Sequence, residues 1–135
     1  MGRRGNCRII AAIGLLMMTL GFSCWGCGRS ASEEDLVRAK SVVQRALVAD
    51  SYEDFLQHFT KQRQTRMQET AIWIRWWQEK LSKDRSAWAV DRVRDAGGGV
   101  IEVLVQHRRR DTSRQYYRLV REGSSWAIRE IESER

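Results

Sequence analysis

The chain has 135 residues, with 24 Lys or Arg against 17 Asp or Glu, a formal charge of +7, three cysteines and no proline. That length bounds the protein to one ordinary domain plus a short leader. The surplus of base is modest and mixed with acid throughout, unlike the one-sided excess of a nucleic-acid binder. It suits a surface that meets anionic lipid headgroups or cell-wall polymers.

The first element is a leader. Arg3, Arg4 and Arg8 stand without an acid ahead of an apolar run from Ile9 to Phe22, broken only by Thr19. This run of 14 residues is short for a membrane-spanning helix, which needs about 20, and fits a signal-peptide core. Two cysteines follow, Cys24 after Ser23 and Cys27 after Gly26. A lipoprotein signal ends at a cysteine preceded by a small residue, so residues 1–26 read as the signal and Cys27 as the lipidated residue, with Cys24 the alternative. Residues 27–32 form a flexible tether. Cleavage there would take Arg3, Arg4 and Arg8 away and leave a formal charge of +4.

The same cysteines are spaced Cys-x-x-Cys. A redox pair of that type follows a strand and opens a helix whose N-terminus lowers the thiol pKa. Here a signal core precedes it and a polar linker follows, so anchoring is the expected role. Arg3 and Arg4 lack the surroundings of a twin-arginine signal and read as a plain basic start.

Residues 33–135 form the domain. Ser32 followed by Glu33, Glu34 and Asp35 predicts a capped helix start, and Leu36, Ala39, Val43, Ala46 and Leu47 recur at helical spacing to about Ala49. Ser51 to Asp54 repeats the start signal for a short helix carrying Phe55, Leu56 and Phe59. A third helix is expected from about Lys61 to Ser82, with Met67, Ala71, Ile74, Trp77 and Leu81 on one face, broadened by Ile72, Trp73 and Trp76. After Asp84 the period changes towards two. Trp88 to Val93, Val100 to Arg108, Gln115 to Arg121 and Trp126 to Ile131 read as strands, joined by Gly97-Gly98-Gly99, a basic tip at Arg108-Arg109-Arg110, and Glu122-Gly123-Ser124-Ser125. Helices followed by four hairpin-linked strands predict an α+β fold, with helices packed on one face of a curved antiparallel sheet.

Candidate site residues are few. His58 and Asp54 share a helix face and could pair as acid and base, although Asp54 also fits the helix start. His107 shares a face with Ile101, Val103 and Val105, but beside the Arg108–Arg110 tip it is expected at an exposed strand end. Trp73, Trp76 and Trp77 crowd within one and a half turns. Two of them are expected to fill the space between helix and sheet, with one lining a ligand pocket or partner surface as the alternative. Arg75 beside these indoles could select an anionic or aromatic ligand. No metal-ligand spacing and no phosphate-binding glycine loop is present, so no cofactor is expected.

The order of helices and the closing hairpin, with Tyr117, Leu119, Gly123, Trp126 and Ile128, resembles the nuclear-transport-factor-2-like superfamily, and most closely its small bacterial lipoproteins. The resemblance runs over roughly residues 33–132. It implies a cone-shaped half-barrel around a pocket and a homodimer through the open sheet face. It is compatible with isomerases and dehydratases as well as with domains of no known chemistry. The expected protein is therefore a lipid-anchored envelope protein, facing the periplasm or exterior. Its domain is expected to be non-catalytic and to bind a small apolar ligand or another envelope protein, with no nucleic acid as partner. An enzyme using His58 and Asp54 is the alternative.

Overall fold

The computed structural model describes residues 30–110 and 113–134. Cys7, Cys24, Cys27 and the signal segment lie outside the described residues, as do Asp111 and Thr112 of the basic tip. No helix among the described residues is long and apolar enough to cross a membrane.

Helix α1, Glu33–Leu47, begins as its sequence dictates. Ser32 Oγ accepts the Asp35 N–H at 3.2 Å, and the Asp35 carboxylate accepts the Ser32 N–H in return, which satisfies two otherwise orphaned donors. The helix buries Ala39, Val43, Ala46 and Leu47 along one face. Helix α2, Tyr52–Leu56, is capped by Ser51 and buries Phe55 and Leu56. Beyond it the backbone is stitched to the sheet: Ile128 donates to His58 O at 2.8 Å and Thr60 donates to Ile128 O at 2.9 Å. Phe59 is thereby held in the core as a parallel bridge partner of Ile128.

The expected third helix is broken into pieces. Helix α3, Lys61–Gln68, ends before an extended Thr70 (φ −131°, ψ 143°), and helix α4, Ala71–Trp76, begins there. A π-helical turn, Trp77–Leu81, and a 3-10 segment, Ser82–Ala87, complete the run. Thr70 favours an N-terminal extended backbone over a helix interior. The break and the wider π turn re-aim the chain so that Met67, Trp77 and Leu81 all reach the same core. A straight helix would also have drawn Ala71 inward, and it is exposed.

The sheet contains β1, Trp88–Gly97, β2, Val100–His107, β3, Arg114–Glu122, and β4, Ser125–Ser133, antiparallel in the order β1-β2-β3-β4. The architecture is α+β, helices first and then a four-stranded antiparallel sheet. The sheet is not closed, consistent with a curved half-barrel. Register shifts between Val90 and Arg92, between Asp95 and Gly97, and opposite Arg118 and Leu119 add residues to one strand of a pair, which bends and twists the sheet. Gly98 and Gly99 both have positive φ in the β1–β2 turn, the requirement of a two-residue hairpin of the primed type.

Strand alternation fixes the two faces. The inner face carries Ile101, Val103, Val105, Tyr117, Leu119 and Ile128, all fully buried against the helices. The outer face carries charge: Glu102 takes Arg94 at 2.8 Å and Arg118 at 3.3 Å, and Arg118 also binds Glu130 and Glu132. These carboxylates hold the Arg118 guanidinium above its usual pKa.

The two ends of the sheet differ. Close to the β1–β2 and β3–β4 turns, Ala31 donates its N–H to Asp95 at 2.8 Å, while Asp35 binds Arg121 at 2.7 Å and Trp126 Nε1 at 3.2 Å. The Arg121 guanidinium, with the Ser32 N–H behind it, holds the Asp35 carboxyl at about 2, below the usual 3.8. The chain therefore enters the domain at the turn end. At the other end, where β2 stops and β3 and β1 begin, the inner face becomes polar.

Candidate functional site

A cavity of about 640 Å³ opens at that polar end, between the π and 3-10 segments and the ends of all four strands. Its floor comes from the inner-face alternation. His107 continues the series Ile101, Val103, Val105, and Gln115 continues the series Leu119, Tyr117, so both point inward where the apolar layer runs out. His107 is only 7% exposed and Gln115 only 3%. The expectation of an exposed strand end at His107 is thus corrected: Arg109 and Arg110 line the rim of the same cavity, while the imidazole is buried beneath, held by Asp84 and Trp88.

Three contacts hold the imidazole. The Arg109 N–H donates to Nδ1 at 3.2 Å, Nε2 lies 3.2 Å from Asp84 Oδ2, and the Trp88 ring meets it edge-on at 5.0 Å. An N–H donated to Nδ1 needs a lone pair there, so the proton sits on Nε2 and is donated to Asp84. Asp84 reaches this position because its own backbone leaves the helical region (φ −143°, ψ 49°). Trp88 is fixed in turn by its indole N–H on Lys80 O at 2.8 Å. Both ring nitrogens are therefore occupied within the protein, an arrangement that positions the ring rather than offering a base.

Gln115 is different. The Tyr117 hydroxyl is 2.8 Å from Gln115 Oε1, and burial pushes the phenol pKa up, keeping the proton on oxygen. A buried hydroxyl with one partner donates to it, which assigns Oε1 to Tyr117 and turns the amide N–H₂ towards the cavity. That N–H₂ has no hydrogen-bond partner among the described residues.

The rim is basic. Lys80, Lys83, Arg109, Arg110 and Arg114 line it, against Glu79, Asp84 and Glu134. Arg114 pairs with Glu134 at 3.8 Å, whereas Lys80, Lys83, Arg109 and Arg110 have no ion-pair partner among the described residues. Low-dielectric walls focus such a field onto an entering anion.

The tryptophans divide. Trp77 is core, 6% exposed and packed on Tyr52 and Phe55 at 5.9 and 6.2 Å. Trp73 and Trp76 are half-buried and meet edge-to-face at 5.9 Å. Trp76 forms part of the cavity wall and also lines an apolar notch of about 140 Å³ together with Ile72, Trp73, Ile131 and Ser133. Ile72 is 72% exposed there. The cation stacked on Trp73 is Arg63, at 4.6 Å, while Arg75 is exposed and lines neither cavity nor notch.

Asp54 and His58 sit at the start and just past the end of α2. The Asp54 N–H is taken by Ser51, Asp54 is exposed and His58 half-buried, and no hydrogen bond joins the two side chains. Burial lowers the His58 pKa, Arg45 adds to this and Asp54 partly offsets it. Neither residue lines the cavity at the sheet end. Among the described residues no group of three or more His, Cys, Asp or Glu is placed to hold a metal ion.

Gln115 and the basic rim were legible in principle: strand alternation puts Gln115 on the face of Tyr117, and Lys80 and Lys83 follow the tryptophan run. Asp84 carried no such signal, because its role depends on a backbone kink. Comparisons with family models, with curated proteins and with solved structures found no match to this chain.

Proposed function

We propose that the protein is a lipid-anchored envelope protein whose α+β domain binds a ligand, without catalysis, in the cavity at the open end of the sheet. The observation that supports this most directly is Gln115: a buried amide whose N–H₂ group faces a cavity and has no partner among the described residues is a donor prepared for a ligand. His107, locked through both nitrogens, supports binding over proton transfer. The anchored address rests on the basic start, the short apolar run and the cysteines at 24 and 27. The superfamily resemblance is compatible with this reading and adds the pocket-bearing cone.

The test is ligand retention. The mature protein, extracted from membranes in a neutral detergent, is denatured and its released small molecules identified by mass spectrometry. A compound held stoichiometrically by the wild type and lost from Gln115→Glu supports the reading. That variant keeps an acceptor for Tyr117 but removes the amide donor. No retained compound in either protein, together with turnover abolished by His58→Ala, would establish the enzymatic alternative.

A further inference from the structure

The cavity and the notch share one wall, and their chemistries are opposite. The cavity holds the Gln115 amide donor and the cations Lys80, Lys83, Arg109 and Arg110, which have no ion-pair partner among the described residues. The notch holds Ile72, Trp73 and Ile131, an apolar surface open to solvent at Ile72. Trp76 and Ser133 belong to both, so a molecule can occupy the two at once across these shared residues. A small inorganic anion would leave the notch empty, and a neutral hydrocarbon would leave the amide N–H₂ and the cations without a partner. Only an occupant that is anionic at one end and apolar at the other satisfies both.

We infer that the ligand is a single-chain amphiphilic anion, its carboxylate or phosphate head on Gln115 within the basic rim and its alkyl tail over Trp76 in the Ile72–Trp73–Ile131 notch. This rests on the proposed binding role of the cavity and narrows it to a ligand class. The source is a free amphiphile rather than a headgroup still in the bilayer. Ala31, where the chain enters the domain, is at the opposite end of the sheet, about 25 Å away along a strand of this length. The two parts of the ligand act together: a charge-assisted hydrogen bond to the head and removal of the tail from water come from one molecule, which loses its translational freedom only once.

The experiment uses the full mature protein in phosphatidylcholine nanodiscs, with its tryptophans labelled by fluorine and partition into empty discs subtracted. Octyl phosphate, inorganic phosphate and 1-octanol are titrated separately while the Trp76 and Trp88 signals are followed. Octyl phosphate is expected to bind at least about tenfold more tightly than either part alone. Lys83→Glu is expected to weaken it about tenfold, and Ile72→Ser several-fold. Both side chains are exposed, so neither change threatens the fold. Equal affinity for 1-octanol would overturn the anionic head while leaving a binding cavity. Equal affinity for inorganic phosphate would overturn the role of the notch. Shifts caused by phosphatidylglycerol in the discs, without added probe, would overturn the free source. Silence towards all three probes would overturn the ligand class, and ligand retention by the extracted protein then decides separately whether the cavity binds at all.

Discussion

His58 has a backbone role and a side-chain environment that pull in different directions. Its carbonyl accepts the Ile128 N–H at 2.8 Å and so fixes the end of α2 to β4, while its ring is half-buried and its pKa lowered from 6.5, chiefly by desolvation. The folded state thus prefers the neutral imidazole. Between the unfolded value of 6.5 and the lower folded value the unfolded chain binds more protons, so stability is full above pH 6.5 and falls as the pH drops through the folded pKa. Urea denaturation from pH 7.5 down to 5 should show this loss, and His58→Gln should flatten it. A wild-type profile as flat as that of the variant would remove the buried, neutral histidine from the account. At the same scale Asp54 was legible as a helix-start residue, because Ser51 and the acids after it signal a cap. His107 was misjudged because the exposed arginines next to it in sequence suggested a solvated strand end, whereas the inward alternation of β2 and the Asp84 kink bury the ring.

Among the elements, the helical run from Lys61 to Ala87 departs most from its periodicity. Apolar spacing located three of its core contacts, Met67, Trp77 and Leu81, but also pointed to Ala71, which is exposed, and Ile74, which is only partly buried. It could not locate the break at Thr70 or the π turn, because these are set by packing onto Phe55 and the sheet rather than by local propensity. The outcome divides three adjacent tryptophans between core and surface. Trp77→Ala should cost about 3–5 kcal/mol, as expected for emptying a buried aromatic site. Trp73→Ala should cost only about 1–2 kcal/mol, chiefly the contact with Arg63 and part of the burial. Chemical denaturation of the two variants checks this order, and equal losses would contradict the division. The strands were easier to read: alternation of two needs no tertiary information once one face is buried, and every strand was legible to within a few residues.

In the whole molecule, antiparallel topology separates entry from opening. Ala31, Asp35 and Asp95 gather at the turn end, and the cavity lies at the other. From Cys27 to Ala31 the chain spans at most about 14 Å. A lipid on Cys27 would therefore hold the turn end near the bilayer and direct the cavity away from it. Spin labels at Glu122→Cys and Arg109→Cys report this as a difference in relaxation by a lipid-borne paramagnet, strong at residue 122 and weak at 109. The reverse order would contradict the orientation. The sequence carried the α+β order through its change of period, but not the opposite placement of entry and cavity. That emerges only when residues 31 and 95 meet across the fold.

The anchor itself is the claim on which address, orientation and ligand source converge. It is tested most directly by the mass of the N-terminal peptide of the mature protein, taken from the membrane fraction of an expressing bacterium. The expected result is a peptide that begins at Cys27, or at the alternative Cys24, and carries a diacylglyceryl group, with or without a third acyl chain. A chain recovered without lipid, its thiols at Cys24 and Cys27 both free, would contradict it and return that pair to the question of redox chemistry.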